Sequence, residues 1–145
     1  MNVEPVTAQS LLYVLCNLWP RGEKELEALG LNKAQAFYRF ADYCHHGRNQ
    51  TLSFDGRPCV VVGIATEDDE AFTWFQATSE FEKHASQITR HIRREAAAHK
   101  GPLYIYSVCI HPDTAKWFRV MGFMPDDDFK QSLPSGATLR RFSRG

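Results

Sequence analysis

The sequence predicts an α/β fold of the α+β type, in which residues 1–145 form a single domain around one mixed sheet. Three observations support this prediction. Apolar residues recur at helical spacing in the first third of the chain. The pattern then changes to the short apolar runs of antiparallel strands. Finally, residues 71–110 follow the pattern strand, helix, strand, which implies a parallel, right-handed crossover at the centre of the sheet.

The first elements are a short strand and a helix. Residues 1–7 are predicted at a sheet edge, because Pro5 lacks the amide hydrogen that a central strand needs. The helix that follows can be capped by Thr7 or Ser10 and carries four leucines at helical spacing. We expect it to end in the segment 19–22, Trp-Pro-Arg-Gly.

Two further helical stretches follow. A short polar piece closes at Gly30, which suits the left-handed conformation at a helix end. Asn32 can cap the next helix, which Gly47 ends. The apolar face of that helix consists of Ala36, Phe37, Phe40, Ala41 and Cys44.

Three antiparallel strands are predicted next. Asp55-Gly56 joins two apolar runs and is a strong hairpin signal. The acidic segment 67–70 reads as a turn before an aromatic strand over residues 71–78. Because side chains alternate along a strand, Trp74 and Phe75 cannot be buried on the same face.

The last part of the chain alternates helices and strands. A helix over residues 83–99 buries one stripe, made of Ala85, Ile88, Ile92 and Ala96. Lys100-Gly101-Pro102 ends that helix, and residues 103–110 form a near-continuous apolar strand. A short helix over 112–121, a strand near Phe123, an acidic loop at 126–128 and a final strand over 137–143 complete the order. That order is strand, helix, helix, three antiparallel strands, helix, strand, helix and two strands.

Composition and charge narrow the class of protein. The chain has 17 basic and 17 acidic residues and no formal net charge, which argues against a protein that mainly grips nucleic acid. The four cysteines form no C-x-x-C pair, so we predict no metal site, no disulfide framework and a reducing compartment. With neither a signal peptide nor an apolar run of about 18–20 residues, a cytoplasmic location without a membrane segment is predicted.

The element order and one motif resemble the GNAT (GCN5-related N-acetyltransferase) fold. In many GNAT proteins a strand leads to an asparagine and a helix, and a tyrosine on that helix lies four residues before Gly-Phe. The stretch "HPDTAKWFRVMGF" has this frame. His111 stands at the asparagine position, Phe118 at the tyrosine position, and Gly122-Phe123 close the motif.

A narrower resemblance is to the GNAT-like proteins of short-tailed bacteriophages, some of which are called internal virion protein A. "DGRPCVVVGI", "FTWFQATSEFEKH" and "TAKWFRVMGF" follow one another here in the same order as the related motifs of that group. The resemblance implies a phage-encoded protein, located in the host cytoplasm or the virion. It implies protein partners, either virion components or further copies of the chain.

The GNAT resemblance also implies where acetyl-CoA would bind. A helix N-terminus holds the pyrophosphate, and GNAT enzymes commonly place a glycine-rich loop there so that the backbone approaches the phosphates. Here the equivalent stretch 78–90 has no glycine, and Glu80 and Glu82 would repel phosphate. We therefore expect weak acetyl-CoA binding or none. The residues placed at this cofactor position are Ala77, Thr78, Lys83, His84, Ala85, Ser86 and Phe118.

The general acid that an acetyltransferase needs is missing from its usual position. Phe118 has no hydroxyl to protonate a leaving thiolate. Tyr106 could replace it if its side chain points into the cleft, and His111 or Glu67 could serve as the base. Asp68, Asp69 and Glu70 are further candidates in the same acidic turn. Cys109 lies in an apolar strand and is expected to be a core residue.

Three functions therefore remain open from the sequence. The first is a phage GNAT-fold protein with a virion-associated or assembly role and a degenerate acetyltransferase site. The second is an active acetyl-CoA-dependent N-acetyltransferase. The third is a nucleic-acid-associated protein that uses the basic face Arg90, Arg93 and Arg94, near which His91 is also placed. Separate basic and acidic patches favour association with proteins over binding to a nucleic-acid duplex.

Overall fold

The computed structural model describes every residue from Met1 to Gly145 and contains one seven-stranded mixed sheet with five helices. The strand order is β1-β2-β3-β4-β5-β7-β6. The elements, in chain order, are β1 (Asn2–Glu4), α1 (Ala8–Cys16), α2 (Pro20–Ala28), α3 (Lys33–Cys44), β2 (Gly47–Phe54), β3 (Arg57–Glu67), β4 (Glu70–Ala77), α4 (Phe81–Ala98), β5 (Leu103–Ser107), α5 (Asp113–Val120), β6 (Met124–Ser132) and β7 (Thr138–Arg144). The predicted α/β class with a mixed sheet is confirmed.

Local signals predicted the starts of α1 and α3 and the hairpin between β2 and β3. Thr7 caps α1 and Asn32 caps α3, each in a reciprocal capping box with the residue three positions later. The turn between β2 and β3 falls at Asp55 and Gly56, both with positive φ, as a tight hairpin requires. These features depend on neighbouring residues alone, so the sequence was sufficient to predict them.

Four predicted boundaries were wrong. Pro20 begins α2 instead of ending α1, because proline suits the first position of a helix. The strand expected over 103–110 ends at Ser107, and Cys109 has a φ of 49°. The acidic residues 126–128 lie within β6, not in a loop. The α4 helix begins at Phe81 rather than 83, and its backbone is interrupted by the non-helical His84.

The predicted parallel crossover is present and creates a gap in the sheet. The β4 and β5 strands are parallel neighbours, but a single register pair, Phe72 with Tyr104, joins them. In contrast, β4 pairs with β3 along its whole length, from Glu70 to Ala77. The two parallel strands therefore separate after one pair, and a cleft opens between their carboxyl ends.

Helices cover both faces of the sheet, and each face has its own core. The α4 and α5 helices pack on one face, with Ile88 and Phe118 in its core. The α1, α2 and α3 helices cover the other face. Trp74 belongs to the second core, and Phe75 packs against the first, which confirms their predicted opposite orientation. His91, which the sequence analysis placed near the basic face, is instead buried, with a ring nitrogen 2.6 Å from Gln50 Oε1.

Gly122 has a structural role in the Gly-Phe motif. Its φ is 95°, a conformation that side-chain-bearing residues rarely adopt. The guanidinium group of Arg144 packs directly over its Cα, and Arg144 Nη1 donates a hydrogen bond of 3.0 Å to the carbonyl of Met121. Phe123 is fully buried immediately afterwards. Gly122 is thus explained by the turn, and Phe123 by its burial in the core. Neither residue needs a catalytic role to explain its place in the motif.

Candidate active site

A large cleft lies where β4 and β5 separate. Its volume is about 660 Å³, and its walls come from α2, β4, β5, α5 and the β6–β7 hairpin. Aromatic rings supply much of the lining, including Trp74, Phe75 and Trp117. Its charged lining residues are Glu25, Glu67, Asp68, Glu70 and Asp113 together with Arg21 and Arg39. The cleft is thus apolar at its walls and mainly acidic in charge.

One end of the cleft is bordered by the chain's own backbone. The Thr78 N–H donates to the Cys59 carbonyl on β3, so the Ala77 carbonyl points to the opposite edge of β4, toward the cleft. The Trp19 N–H donates to that carbonyl at 3.0 Å, and Leu18 forms an isolated antiparallel bridge with Thr78. The segment before α2 therefore pairs with the last residues of β4.

Aromatic stacking closes the same end of the cleft. The Trp19 ring stacks on Phe81, the first residue of α4, with centroids 5.1 Å apart. Phe81 also meets Trp117 of α5 edge to face at 5.5 Å. These rings occupy the space between the end of β4, the start of α4 and α5.

The start of α4 has an acidic first turn and an interrupted backbone. Its N-cap residue, Glu80, makes no side-chain capping hydrogen bond, and Glu82 follows in the first turn. Lys83 is paired with Glu80 at 3.2 Å. The ring of His84 stacks on Phe54 at a centroid distance of 3.7 Å. The two basic side chains of this segment are thus engaged with neighbours of their own chain.

A polar network lies at the other end of the cleft. Tyr106 donates a short hydrogen bond to Glu70 Oε1. Arg141 Nη2 lies 2.7 Å from Asp126 Oδ2, and its Nη1 lies 3.6 Å from Glu70 Oε2. The guanidinium group also lies over the ring of Tyr104, at 4.6 Å. Burial, and then the hydrogen bond to Glu70, raise the pKa of Tyr106 to about 12, so this phenol keeps its proton at neutral pH.

A half-buried glutamate, Glu25, joins α2 to the end of β5. Ser107, itself buried, donates a hydrogen bond of 2.6 Å to Glu25 Oε1. Burial raises the pKa of the Glu25 carboxyl, and the hydrogen bond from Ser107 opposes part of that shift. Ionisation of Glu25 therefore destabilises the folded state.

Glu25→Gln is expected to raise the melting temperature at pH 7 and to leave it unchanged at pH 4 or below. The folded pKa lies above the ordinary value of 4.5, so stability is greatest where Glu25 is protonated and falls as pH rises through the folded pKa. Glutamine keeps the acceptor for Ser107 without the charge. Melting curves from pH 4 to pH 8 measure the difference, and Glu27→Gln, at an exposed position of the same helix, is the control. An equal gain at all pH values would contradict this account.

The structure brings some of the predicted site residues to the cleft. Tyr106, Glu67, Ala77 and Phe118 line it. Phe118 is only 2% exposed and packs edge to face on Phe142 at 4.9 Å. The other predicted cofactor residues do not line the cleft, and they are Thr78, Lys83, His84, Ala85 and Ser86.

His111, a predicted base, lies outside the cleft, and so does Cys109, which was predicted to be a core residue and packs against the core. His111 Nδ1 accepts a hydrogen bond from the Asp113 N–H at 3.1 Å, so its ring is engaged at the start of α5. Cys109 is half-buried, and burial raises the pKa of its thiol, which keeps it protonated and a poor nucleophile.

Sequence reasoning missed three residues of the site. Glu25 and Arg141 gave no signal, because a polar residue in a polar helix or on an edge hairpin carries no periodic pattern. Trp19 was assigned to a helix end, and its contact with Ala77 joins residues far apart in the chain. No local motif identifies such contacts.

The strand order, the parallel β4–β5 pair that opens after one register position and the helices on both faces define the fold of the GNAT acetyltransferases. Solved structures with this fold are similar to almost the whole chain. A Bordetella pertussis protein assigned to the GnaT family of acetyltransferases matches with a TM-score of 0.70 and 12% identity, covering 99% of this chain and 94% of that one. A spermidine N-acetyltransferase of Vibrio cholerae matches with a TM-score of 0.66 and 10% identity over 99% and 94% of the two chains. The GNAT domain of a Streptomyces lividans protein, PAT, matches at 0.65 and 15% over 97% and 89%.

At these identities the similarity establishes the fold alone. No family model matches the sequence, and no curated protein matches it. No helix is both long and apolar enough to cross a bilayer. No three histidine, cysteine, aspartate or glutamate side chains converge as a set of metal ligands.

Proposed function

We propose that this chain is a GNAT-fold protein of a short-tailed bacteriophage, that its acetyl-CoA site is degenerate, and that it acts in the virion or its assembly through contacts with other proteins. The observation that carries the degenerate site is the pairing of Trp19 with the end of β4. An extended ligand arm that reached the end of β4 would meet the chain's own backbone at the Ala77 carbonyl. In this chain the Trp19 N–H already occupies that acceptor.

The residues at the start of α4, where the pyrophosphate of acetyl-CoA would bind, do not fit this cofactor. A pyrophosphate at the start of α4 would meet Glu80 and Glu82, and no glycine there lets the backbone come close. Lys83, the cation nearest to them in sequence, is paired with Glu80. Phe118 lacks the hydroxyl that the matching tyrosine would provide. The phage assignment itself is supported by the sequence motifs and not by the fold.

A second candidate is an acyl-CoA-dependent N-acyltransferase, which the Tyr106–Glu70 pair favours. Glu70 lies in the cleft wall and could accept a proton from an ammonium group. Tyr106 keeps its proton at neutral pH and could donate it to the leaving thiolate. This candidate requires cofactor binding, whereas the first predicts weak binding or none.

A thermal melt with and without millimolar acetyl-CoA separates the two candidates. A ligand at about 100 times its dissociation constant adds about 2.7 kcal/mol, which corresponds to a shift of about 5–10 °C for a chain of this size. We expect no shift, and no coenzyme in native mass spectra of the purified protein. The Vibrio cholerae spermidine N-acetyltransferase serves as the positive control. A shift of the size given would overturn the proposed degenerate site and support the acyltransferase.

The virion role has its own test. Purified particles of the phage that encodes the chain should contain it in quantitative mass spectrometry, at a constant ratio to the capsid protein. Its absence from both mature particles and assembly intermediates would contradict this part of the proposal.

A further inference from the structure

The outer surface of α4 carries arginines that have no partner. Arg90, Arg93 and Arg94 are exposed and are spaced so that they share one face of the helix, here called the arginine face. None of them takes part in an ion pair of the folded chain. The opposite side of the helix is buried through Ile88 and Ile92, so this face points away from the sheet.

The turn between β3 and β4 carries carboxylates that also lack partners. Glu67, Asp68 and Asp69, here called the acidic turn, are all exposed, and none of them forms an ion pair. The two aspartates have φ values of 50° and 63°, as a tight hairpin requires. Asp126, in the other acidic segment, is already paired with Arg141. Asp127 and Asp128 of that segment are exposed and form no ion pair, so the acidic turn, with three unpaired carboxylates against two, is the larger free acidic group.

The two surfaces are complementary in charge. Residues three and four apart on a helix lie about 5–6 Å apart, and successive turn residues have Cα atoms about 3.8 Å apart, so carboxylates and guanidinium groups can meet in pairs. Arginine pairs with carboxylates through up to two parallel hydrogen bonds. The two surfaces do not meet within one molecule. The overall balance of 17 basic and 17 acidic residues means that no net charge keeps copies apart.

We propose that the acidic turn of one copy docks on the arginine face of a second copy. The inference rests on the proposed function, since it names the protein partner of a chain that acts through its surfaces. Each copy carries one surface of each kind, so the contact gives a two-fold dimer that forms both pairs at once, a larger closed ring or an open chain. Nucleic acid is a poorer occupant because the chain as a whole is uncharged.

Self-association is expected to be weak and to depend on salt. Exposed ion pairs are individually weak, and salt screens them to a range of about 3 Å at 1 M ionic strength, against about 30 Å at 0.01 M. In sedimentation at about 0.01 M salt, the average mass should rise with protein concentration above the monomer mass of 16.6 kDa. At 1 M salt it should return to the monomer value. A wild-type chain that stays monomeric at low salt would overturn the proposal.

Charge reversal at each surface tests the contact itself. One variant combines Arg90→Glu and Arg94→Glu. The other combines Glu67→Lys with Asp68→Asn and Asp69→Asn, because asparagine tolerates the left-handed backbone of this turn and lysine does not. Each variant should be monomeric alone, whereas a mixture of the two should associate, since the reversed helix of one then meets the reversed turn of the other.

Matched variants control for net charge. Lys24→Glu with Lys130→Glu changes the net charge as much as the arginine reversal does. Glu4→Lys with Glu27→Lys matches the change at the turn. All four positions are exposed and lie outside both surfaces. The control variants should associate like the wild type; a loss as large as that of the test variants, or a test mixture that stays monomeric although both variants melt like the wild type, would overturn the proposal.

Two further outcomes are distinguishable. Salt-sensitive binding of a DNA oligonucleotide at the arginine face, without self-association, would replace the proposed partner with nucleic acid and so overturn the inference. The acetyl-CoA melt is independent of this contact. A positive cofactor result would therefore remove the proposed function without deciding whether copies associate.

Discussion

Phe118→Ala is expected to lower the free energy of unfolding by about 3–5 kcal/mol, the usual cost of removing a buried phenylalanine side chain. Phe118 is 2% exposed and packs on Phe142 and Trp117, so its loss leaves a cavity between α5 and the sheet. Urea unfolding curves measure the change. The result would show that the position where GNAT enzymes carry a tyrosine is a core position in this chain.

Tyr38→Ala is the matched control for that variant. Tyr38 is 73% exposed, so its replacement should change stability by less than about 0.5 kcal/mol. If Phe118→Ala lowers the free energy of unfolding by no more than Tyr38→Ala does, the Phe118 side chain does not contribute to the stability of the core. The position would then be better explained by its place in the lining of the cleft.

Arg141→Leu is expected to lower the free energy of unfolding by about 1–3 kcal/mol, allowing for partial exposure of the network. The side chain of Arg141 is 20% exposed and that of Asp126 is 15% exposed. Removing the guanidinium group leaves Asp126 and Glu70 without their cation at the cleft. Adding Asp126→Asn to Arg141→Leu should therefore restore part of the lost stability, because one unpaired carboxylate is removed.

Arg140→Leu provides the control on the same strand. Arg140 is half-exposed and forms no ion pair with a carboxylate, so the loss should be clearly smaller. Chemical denaturation of the three variants (Arg141→Leu, Arg141→Leu with Asp126→Asn, and Arg140→Leu) and of the wild type gives the comparison. If the double variant is less stable than Arg141→Leu alone, the unpaired carboxylate of Asp126 does not cause the loss of stability in Arg141→Leu.

The acidic segment 67–70 allowed two interpretations from the sequence. From the sequence, residues 67–70 were both a solvated turn and a set of candidate bases. In the structure, Glu70 faces inward to Tyr106, whereas Glu67, Asp68 and Asp69 are exposed. Alternation along a strand separates the inward residue from its neighbours, but the sequence does not say which way the first residue points.

The sequence by itself determined the elements that depend on near neighbours. The caps at Thr7 and Asn32, the hairpin at Asp55-Gly56 and the opposite burial of Trp74 and Phe75 all follow from spacing and from turn chemistry. Together with the crossover over residues 71–110, these signals were enough for the GNAT fold. They were enough because side chains return to the same face every 3.6 residues in a helix and every two residues in a strand, so the spacing of apolar residues in the sequence indicates the element.

Only the tertiary structure decided what fills the cleft. The contacts of Trp19 with Ala77, of Glu25 with Ser107 and of Arg141 with Glu70 join residues 58, 82 and 71 positions apart, as their numbers show. Such contacts depend on how finished elements pack, and isolated polar residues leave no periodic trace of them. The cofactor residues predicted beyond the end of β4 shared one stretch of sequence, yet Lys83 and His84 contact Glu80 and Phe54 outside the cleft. Side-chain direction is set by packing and not by position in the chain.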